Sequence, residues 1–176
     1  MPPDGLSMPI PIISIIGKSN SGKTTLLEKL IRELKRRGYR VATVKHHSHA
    51  GFEVDQPGKD TWRHAQAGSD LVVIAAPDKI AFIRKLGREL SLDEVAADIV
   101  DVDIILTEGY KSAGKPSIEV LRKERGMELV GDPGRLIAIA CDLPASELPQ
   151  AADVPVFDLD DFQTITDFII LKIQAG

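Results

Sequence analysis

One eight-residue segment near the start of the chain combines residue types that bind phosphate groups. It consists of Gly17, Lys18, Ser19, Asn20, Ser21, Gly22, Lys23 and Thr24, and it fits the P-loop pattern G-x-x-x-x-G-K-S/T. The two glycines permit backbone geometries in which successive N–H groups point at phosphate oxygens. Lys23 is expected to reach the β and γ phosphates, and the Thr24 hydroxyl to bind Mg²⁺. The pattern therefore predicts a site for a purine nucleoside triphosphate and Mg²⁺.

The residues on either side favour this interpretation over a chance match in a flexible turn. Before the segment, the apolar run from Ile10 to Ile16 is typical of a strand buried on both faces. After it, apolar residues between Thr24 and Arg37 recur with helical spacing, and Gly38 follows as a helix-ending residue. A phosphate-binding loop needs this order of strand, loop and helix, because the helix N-terminus adds its dipole to the anion site.

Lys18, directly after the first glycine, allows two interpretations. A lysine at this position is similar to the signature lysine of P-loop proteins that form nucleotide-sandwich dimers, in which it reaches the phosphates of the partner subunit. The second interpretation, which we favour, is an exposed charge beside the bound anion.

A second candidate site residue, Glu108, ends a buried strand predicted from Val102 to Thr107. An apolar strand that ends in an acid, in a chain with a P-loop, has the Walker B pattern, in which the acid holds Mg²⁺ directly or through water. Asp101 and Asp103 lie at the opposite end of the strand and are interpreted as solvated loop charges. Gly109 would let the backbone approach the γ phosphate.

The segment that follows a predicted strand from Arg40 to Lys45 is rich in histidine and acidic residues. Its candidate residues are His46, His47, His49, Asp55, Lys59 and Asp60. Three closely spaced histidines are one argument for structural zinc, but no cysteine lies near and the spacing matches no standard zinc pattern. We expect instead a switch-like loop over the triphosphate, with Asp55 or Asp60 near Mg²⁺. The cations expected to face anions in this loop are Lys45, His46 and Lys59. A polar surface loop is the remaining alternative.

Asp142 is the candidate for recognising the base. It follows a predicted strand from Leu136 to Ala140, at the place where P-loop GTPases carry an N/T-K-x-D motif that binds guanine. That motif is absent, but a carboxylate at this place can accept hydrogen bonds from guanine N1 and N2. The alternative is that Asp142 caps a turn or helix before Pro144.

The remaining segments alternate between strand and helix patterns, which indicates an α/β protein. Strands are predicted at 71–75, 79–84, 117–122, 127–130, 136–140 and 154–157, and helices at 59–67, 91–99 and 161–172. Ser117 to Val130 reads as a β-hairpin that turns at Glu124-Arg125-Gly126. We therefore predict a P-loop NTPase-type fold with a mostly parallel central sheet, flanking helices and an added β-hairpin. A single domain is expected over residues 9–176, after a disordered extension over residues 1–8.

Composition limits the classes of function. The 176 residues carry a net charge of −4, which gives no overall bias toward nucleic acid. Cys141 is the only cysteine, so no internal disulfide is possible and a cytoplasmic location is expected. The apolar run from Ile10 to Ile16 is too short to cross a bilayer, so no membrane partner is expected.

Taken together, these motifs resemble the molybdopterin-guanine dinucleotide biosynthesis protein B family. The resemblance rests on residues 17–26 (which include Thr25), 44–49, 55–60 and 106–111, and covers roughly residues 9 to 174. It implies a GTP-binding accessory protein with weak GTPase activity. Such a protein would assist a partner nucleotidyltransferase that attaches GMP to molybdenum-bound molybdopterin. Lys18 departs from part of the family, where a bulky residue is common.

Two further classes of function and one assembly remain to be weighed. A P-loop small-molecule kinase would need an arginine-rich lid, but only Arg122 and Arg125 lie close together. A nucleotide-gated module that binds a metal or cofactor would use the histidine-rich loop. No glutamine or arginine is clearly placed to assist hydrolysis, which favours slow turnover. A homodimer is expected because the resemblance implies strand exchange and the Ser117–Val130 hairpin is apolar.

Overall fold

The computed structural model describes residues 9–47, 51–148 and 154–175, so the predictions for residues 1–8 and for His49 lie outside it. Two compact units are distinguished, one made of Met1–His46 with Ser91–Gly176 and the other of His47–Leu90. The single domain predicted over residues 9–176 stays a prediction. None of the helices in the described ranges is long and apolar enough to cross a membrane.

The elements follow one another in the order that the sequence predicts, with one exception. They are β1 (Ile12–Ile16), α1 (Lys23–Arg36), β2 (Val41–Lys45), α2 (Asp60–Gln66), β3 (Leu71–Ala76), β4 (Lys79–Arg84), α3 (Leu92–Ala97), β5 (Ile104–Glu108), β6 (Ser117–Leu121), β7 (Leu136–Cys141), β8 (Val156–Asp158) and α4 (Phe162–Gln174). A 3-10 turn, Lys123–Arg125, follows β6, and a second one, Ala145–Glu147, follows β7. The helix predicted at 91–99 begins with a capping box, a pattern readable from Ser91 and Glu94 in the sequence: the Ser91 hydroxyl accepts from the Glu94 N–H and the Glu94 carboxylate accepts from the Ser91 N–H.

The larger unit contains a parallel sheet whose order, among the described residues, is β2-β5-β1-β6-β7-β8. Each neighbouring pair in this order is parallel. The sheet is buried because helices cover it, and β6 is buried along its whole length. One apolar cluster joins the central strands to α1 and α4 through residues such as Leu30, Ile165 and Ile169. The predicted fold class is confirmed.

The hairpin predicted from Ser117 to Val130 is wrong. Its first half is β6, an interior strand that pairs in parallel with both β1 and β7. Its second half forms no strand, and Met127 and Leu129 pack instead on a second apolar cluster that includes Ile139. The apolar residues of 127–130 fit a strand pattern equally well when they cover the core as a loop. Dimer formation by exchange of this hairpin therefore loses its structural basis.

The segment after β6 is held in place by a buried carboxylate. Glu119 has no exposed surface, and its side chain accepts the N–H groups of Val130 at 2.7 Å and Gly131 at 3.1 Å. Two backbone donors thus stabilise the charge that burial would otherwise make costly. The loop after β6 is anchored to the middle of the sheet.

The smaller unit contains the antiparallel hairpin of the fold. In it β3 pairs with β4 from Leu71 opposite Arg84 to Ala76 opposite Lys79. Val72 is buried, whereas large apolar side chains on both strands are exposed, with Phe82 exposed by 64%. Within the described residues this sheet has two strands only, so both of its outer edges are free of strand partners.

Candidate functional site

The P-loop leaves the carboxyl end of β1, which lies in the sheet between β5 and β6. Because the three strands are parallel, their carboxyl ends share one edge of the sheet, where ligands of open α/β sheets bind. The predicted site residues at the ends of β2, β5 and β7 thus reach the same edge. Their strand order was not predictable from the sequence, but their common edge was.

The backbone of the loop adopts conformations that explain its residue types. Gly17 has φ +140°, and a Cβ on it would lie 2.4 Å from the carbonyl oxygen of Val120 in β6. Asn20 has φ +60° and Gly22 has φ +95°, both in the left-handed region. These turns bring the chain into α1, whose first hydrogen bond runs from the Leu26 N–H to the Gly22 carbonyl at 3.0 Å. No side chain caps the N-terminus of α1 and no acid lies in its first turn, an arrangement that suits an anion.

A cavity of about 470 Å³ opens at the loop, a volume within the range of small-ligand sites. It is lined by Ser19, Asn20, Gly22, Lys23, Thr24, Thr25, Lys45 and Glu108. The cavity therefore collects most of the residues that the sequence assigns to nucleotide and metal, although they come from three separate parts of the chain.

The two predicted metal residues of the larger unit are in contact. The Thr24 hydroxyl donates to Glu108 Oε1 at 3.0 Å, and the Lys45 ammonium lies 3.4 Å from the same oxygen. The strand register explains the second contact, because Lys45 and Glu108 are direct neighbours in β2 and β5. A hydroxyl and a carboxylate side by side form an oxygen donor set of the kind that Mg²⁺ prefers. The residues present thus fit the metal that the sequence implies.

Lys23 points along the loop rather than away from it. Its ammonium donates to the carbonyl of Lys18 at 2.6 Å. Burial lowers the pKa of Lys23, the charge of Glu108 opposes that shift, and the charge of Lys45 adds to it. Two ammonium groups thus share one partly desolvated cavity with a single carboxylate, which favours an anionic ligand.

Lys18 does not line the cavity. Its ammonium forms an ion pair with Glu128, in the segment after β6, and this contact lowers the pKa of Glu128. The side chain of Lys18 is 29% exposed. Its suggested roles toward a nucleotide stay predictions.

His46 and Gly109 lie next to Glu108. The His46 N–H donates to the Glu108 carbonyl at 3.0 Å, and a Cβ on Gly109 would lie 3.2 Å from the Cβ of His46. Gly109 has φ +90°, so it combines a tight approach with a left-handed backbone. The His46 ring stacks at 4.8 Å from the ring of Tyr110. The structure brings both predicted residues to the carboxyl edge, and their contacts with nucleotide stay predictions.

Asp142 lies directly after β7, with its side chain 31% exposed. Its Oδ1 accepts the backbone N–H of Lys123 at 3.0 Å, and its Oδ2 lies 3.9 Å from Nη1 of Arg122. The carboxylate thus braces the turn after β6, which is a different segment from the turn before Pro144 named in the capping alternative, while its exposed part faces solvent. Its role toward guanine stays a prediction.

Arg122 is the site residue that sequence reasoning missed. Its Nε donates to the Ser21 carbonyl at 3.2 Å, and a Cβ on Gly22 would lie 3.3 Å from both Nε and Nη2. The sequence places Arg122 at the end of a predicted strand, 117–122, but assigns that strand to a hairpin. Once β6 is placed beside β1, the residue after it must lie near the P-loop.

Asp55, Lys59 and Asp60 belong to the smaller unit, in which Asp60 begins α2. Their predicted roles toward metal and anions stay predictions. In the part of the chain that the structure describes, no three His, Cys, Asp or Glu side chains are grouped to hold a metal. The zinc alternative depends in part on His49, which lies outside that part.

Comparisons with known proteins agree with this architecture. A family model described as molybdopterin guanine dinucleotide synthesis protein B matches residues 12–142. A molybdopterin-guanine dinucleotide biosynthesis adapter protein of Haemophilus influenzae is 38% identical, over 91% of this chain and 88% of its own. An adapter protein of the same name from Escherichia coli is 34% identical, over 94% of each chain.

Solved structures show the same similarity. A crystal structure of molybdopterin-guanine biosynthesis protein B matches with a TM-score of 0.69 and 32% identity, over 92% of this chain and 99% of that one. The crystal structure of Bacillus subtilis MobB matches with a TM-score of 0.74 and 26% identity, over 92% and 97%.

Proposed function

The chain belongs to the molybdopterin guanine dinucleotide synthesis protein B family, and we propose that it is a slow, Mg²⁺-dependent GTPase that acts as an adapter in molybdopterin-guanine dinucleotide biosynthesis. The observation that carries the nucleotide part is the meeting of Lys23, Thr24 and Glu108 in one cavity at the N-terminus of α1. The pathway part rests on the family.

Each residue of the cavity has a role in this proposal. The N–H groups of the P-loop and the first turn of α1 bind the phosphate oxygens, and Lys23 neutralises the β and γ phosphates. Thr24 and Glu108 would hold Mg²⁺, which supplies positive charge to the phosphate oxygens when bound. Lys45, 3.4 Å from Glu108, keeps this carboxylate oriented and adds a second cation to the cavity.

Asp142 is proposed to select guanine over adenine. A carboxylate can accept two parallel hydrogen bonds from guanine N1 and N2, whereas adenine presents no such pair of donors. Each oxygen of Asp142 has one protein neighbour, and a carboxylate has about four acceptor positions in all. Acceptor capacity for a base therefore remains on its exposed side.

Slow turnover follows from the residues of the cavity. Among the described residues, its lining includes no glutamine to orient the attacking water and no arginine to stabilise the transition state. Fast GTPases use one or both of these groups. We therefore propose that hydrolysis alone is slow and that a partner stimulates it or uses the bound state.

The proposed partners are a molybdopterin nucleotidyltransferase and a second copy of the chain. The relatives' names describe adapters, which act with another protein. For the homodimer, the smaller unit offers a two-stranded hairpin with exposed Val73, Ile80 and Phe82. Exposed apolar strands with free edges are a common basis for pairing between chains. The single cysteine is consistent with action in the cytoplasm.

A calorimetric titration of the protein with GTP and with ATP, each with Mg²⁺ and with excess chelator, tests the proposal. We expect GTP to bind more tightly than ATP, and both to weaken when Mg²⁺ is removed. Equal affinity for the two nucleotides would contradict the guanine assignment, and absence of binding would contradict the whole nucleotide part.

A hydrolysis assay separates this proposal from a small-molecule kinase. Inorganic phosphate should appear from GTP without any acceptor, at a rate that does not change when sugars, alcohols or nucleosides are added. Transfer of phosphate to one of these acceptors would favour the kinase. Addition of the nucleotidyltransferase should change the rate if the two proteins act together.

A further inference from the structure

We propose that Arg122 is a positioning residue that couples recognition of the base at Asp142 to the conformation of the P-loop. This inference rests on the proposed nucleotide site and deepens it. It assigns a role to a residue outside every motif in the sequence, and it explains how a base site without an N/T-K-x-D motif is kept in register with the phosphate site.

Arg122 contacts the P-loop directly. Its Nε donates to the carbonyl of Ser21 at 3.2 Å, and the guanidinium plane lies against Gly22, where a Cβ would come within 3.3 Å. Ser21 and Gly22 directly precede Lys23. Arg122 therefore holds the peptide unit at which the loop turns into α1, and fixes the direction in which the following N–H groups point.

The turn that carries Arg122 also contacts Asp142, the carboxylate proposed to bind the base. The Nη1 of Arg122 lies 3.9 Å from Oδ2 of Asp142, while the next residue, Lys123, donates its N–H to Oδ1. Two consecutive residues of the turn after β6 thus contact the two oxygens of the Asp142 carboxylate. A planar guanidinium suits such a role, because its donors point in fixed directions and it can serve two acceptors at once.

The surroundings of Arg122 contain a further carboxylate at the end of β8. A hydrogen bond from Lys29 of α1 lowers the pKa of Asp160, and the charge of Arg122 contributes to the same shift. Arg122 therefore lies among groups at the ends of β6, β7 and β8 and beside the P-loop. Its side chain is 39% exposed, so a ligand can also reach it.

This geometry has a measurable consequence for selectivity. If Arg122 only supported the P-loop, its loss would weaken GTP and ATP equally, because both carry the same triphosphate. If it also orients Asp142, its loss must reduce the preference for GTP over ATP. That reduction must vanish when Asp142 no longer selects guanine.

A double-mutant cycle measured with GTP and ATP tests the coupling. The variants are Arg122→Gln, Asp142→Asn and both together, titrated with each nucleotide and Mg²⁺. Arg122→Gln should lower the GTP/ATP affinity ratio about three- to fivefold, as expected for loss of a partly exposed ion pair. Asp142→Asn should lower it at least as much, and the double variant should lower it no further than Asp142→Asn alone.

Two other variants test whether the effect is specific to the guanidinium of Arg122. Arg125→Gln, in the same turn but exposed, should leave both affinities unchanged. Arg122→Lys keeps the charge and loses the fork, so it should retain most of the affinity for ATP while the GTP/ATP ratio falls. Thermal melts of all variants show whether each is folded, and Arg122→Lys replaces Arg122→Gln if the latter does not fold.

The outcomes separate this inference from the proposed function. Wild-type protein without a preference for GTP would overturn the guanine assignment and the coupling together. A wild-type preference that Arg122→Gln and Arg122→Lys leave unchanged would overturn the coupling alone. The same holds if the two losses in the ratio multiply in the double variant, because Arg122 and Asp142 would then act independently.

Discussion

The two sides of the P-loop present carboxylates in different ways. On the β5 side, Glu108 is 12% exposed, touches Thr24 and Lys45, and lines a cavity with two ammonium groups. On the β6 side, Asp142 is more exposed and is held by a backbone N–H and an arginine. The first carboxylate faces where a ligand would lie, and the second is already part of the protein's own support. In the proposed function, phosphate and metal would therefore be bound by side chains that line one cavity, whereas base selection would depend on how the turn after β6 packs against the P-loop and Asp142.

The largest effect is expected on the phosphate side, from Lys23→Ala. This change removes a partly buried cation next to the P-loop backbone and should weaken GTP and ATP alike by roughly 1,000-fold, as expected for more than one charge-assisted contact. Calorimetric titration measures the loss. The matched control is Lys35→Ala, at the exposed end of the same helix, which should bind both nucleotides normally.

Affinity within a few fold of wild type in folded Lys23→Ala protein would break the comparison, because the cavity would then not be the phosphate site. The thermal melt of the variant must stay close to that of the wild type for this result to count.

A second test compares two glycines that both have positive φ but differ in their surroundings. Gly17 and Gly38 both have positive φ, but a Cβ on Gly17 meets the Val120 carbonyl at 2.4 Å and one on Gly38 meets nothing within 4 Å. Gly38→Ala should cost about 1 kcal/mol of stability from the left-handed backbone alone. Gly17→Ala should cost about 3 kcal/mol, because overpacking adds to the strain. Denaturant unfolding of both variants measures the difference.

Equal costs for the two glycines would mean that β6 yields easily next to the P-loop. β6 would then not be a rigid neighbour of the loop. Arg122, which directly follows β6, could not hold the loop in a fixed position.

The difference between the two sides also explains what the sequence predicts well. The P-loop, Glu108 and the capping box at Ser91 are local patterns, in which residue types at fixed spacing determine the geometry. Parallel strands put their carboxyl ends on one edge, so a shared edge for Lys45 and Glu108 follows once those strands are recognised. These predictions needed no knowledge of which strand lies beside which.

The turn after β6 could not be predicted in this way. Residues 117–130 contain two apolar stretches around a glycine, and a hairpin and a buried strand followed by a covering loop share that pattern. Only the tertiary structure decides between them, because β6 pairs with β1 and β7 rather than with the residues that follow it. The buried carboxylate of Glu119 is tolerated within β6 because two backbone N–H groups bind it. With the strand order unknown, Arg122 was only one of several scattered arginines.

A medium effect is expected for the metal pair. Thr24→Ala and Glu108→Gln should each lower the hydrolysis rate at least about tenfold, because each removes an oxygen donor or its charge. Each should also raise the Mg²⁺ concentration at which the hydrolysis rate is half-maximal. Rates over a Mg²⁺ titration measure both changes. Glu28→Gln, an exposed acid on α1, should leave the profile unchanged.

A wild-type Mg²⁺ profile in both variants would contradict the assignment of Thr24 and Glu108 to the metal. Glu108 would then serve to orient Thr24 and Lys45 rather than to bind the metal.

The smallest effect is expected from Glu119→Gln, on the base side. The amide oxygen can accept one of the N–H groups of Val130 and Gly131, but the amide NH₂ cannot accept the other. One buried backbone donor loses its partner, which should cost about 1–2 kcal/mol of stability. Glu124→Gln, the same change at an exposed position of the nearby turn, is the matched control and should cost almost nothing.

The value of this variant lies in its nucleotide affinities. Glu119 anchors the far end of the loop that carries Arg122 and Lys123, so loosening it should reduce the GTP/ATP ratio by about two- to threefold, a small coupling by usual standards. Affinity for ATP should fall less than affinity for GTP, because Glu119 does not line the phosphate cavity. A loss of affinity for both nucleotides in equal measure would show that the loop supports the P-loop alone, and the division into a phosphate side and a base side would then have to be abandoned.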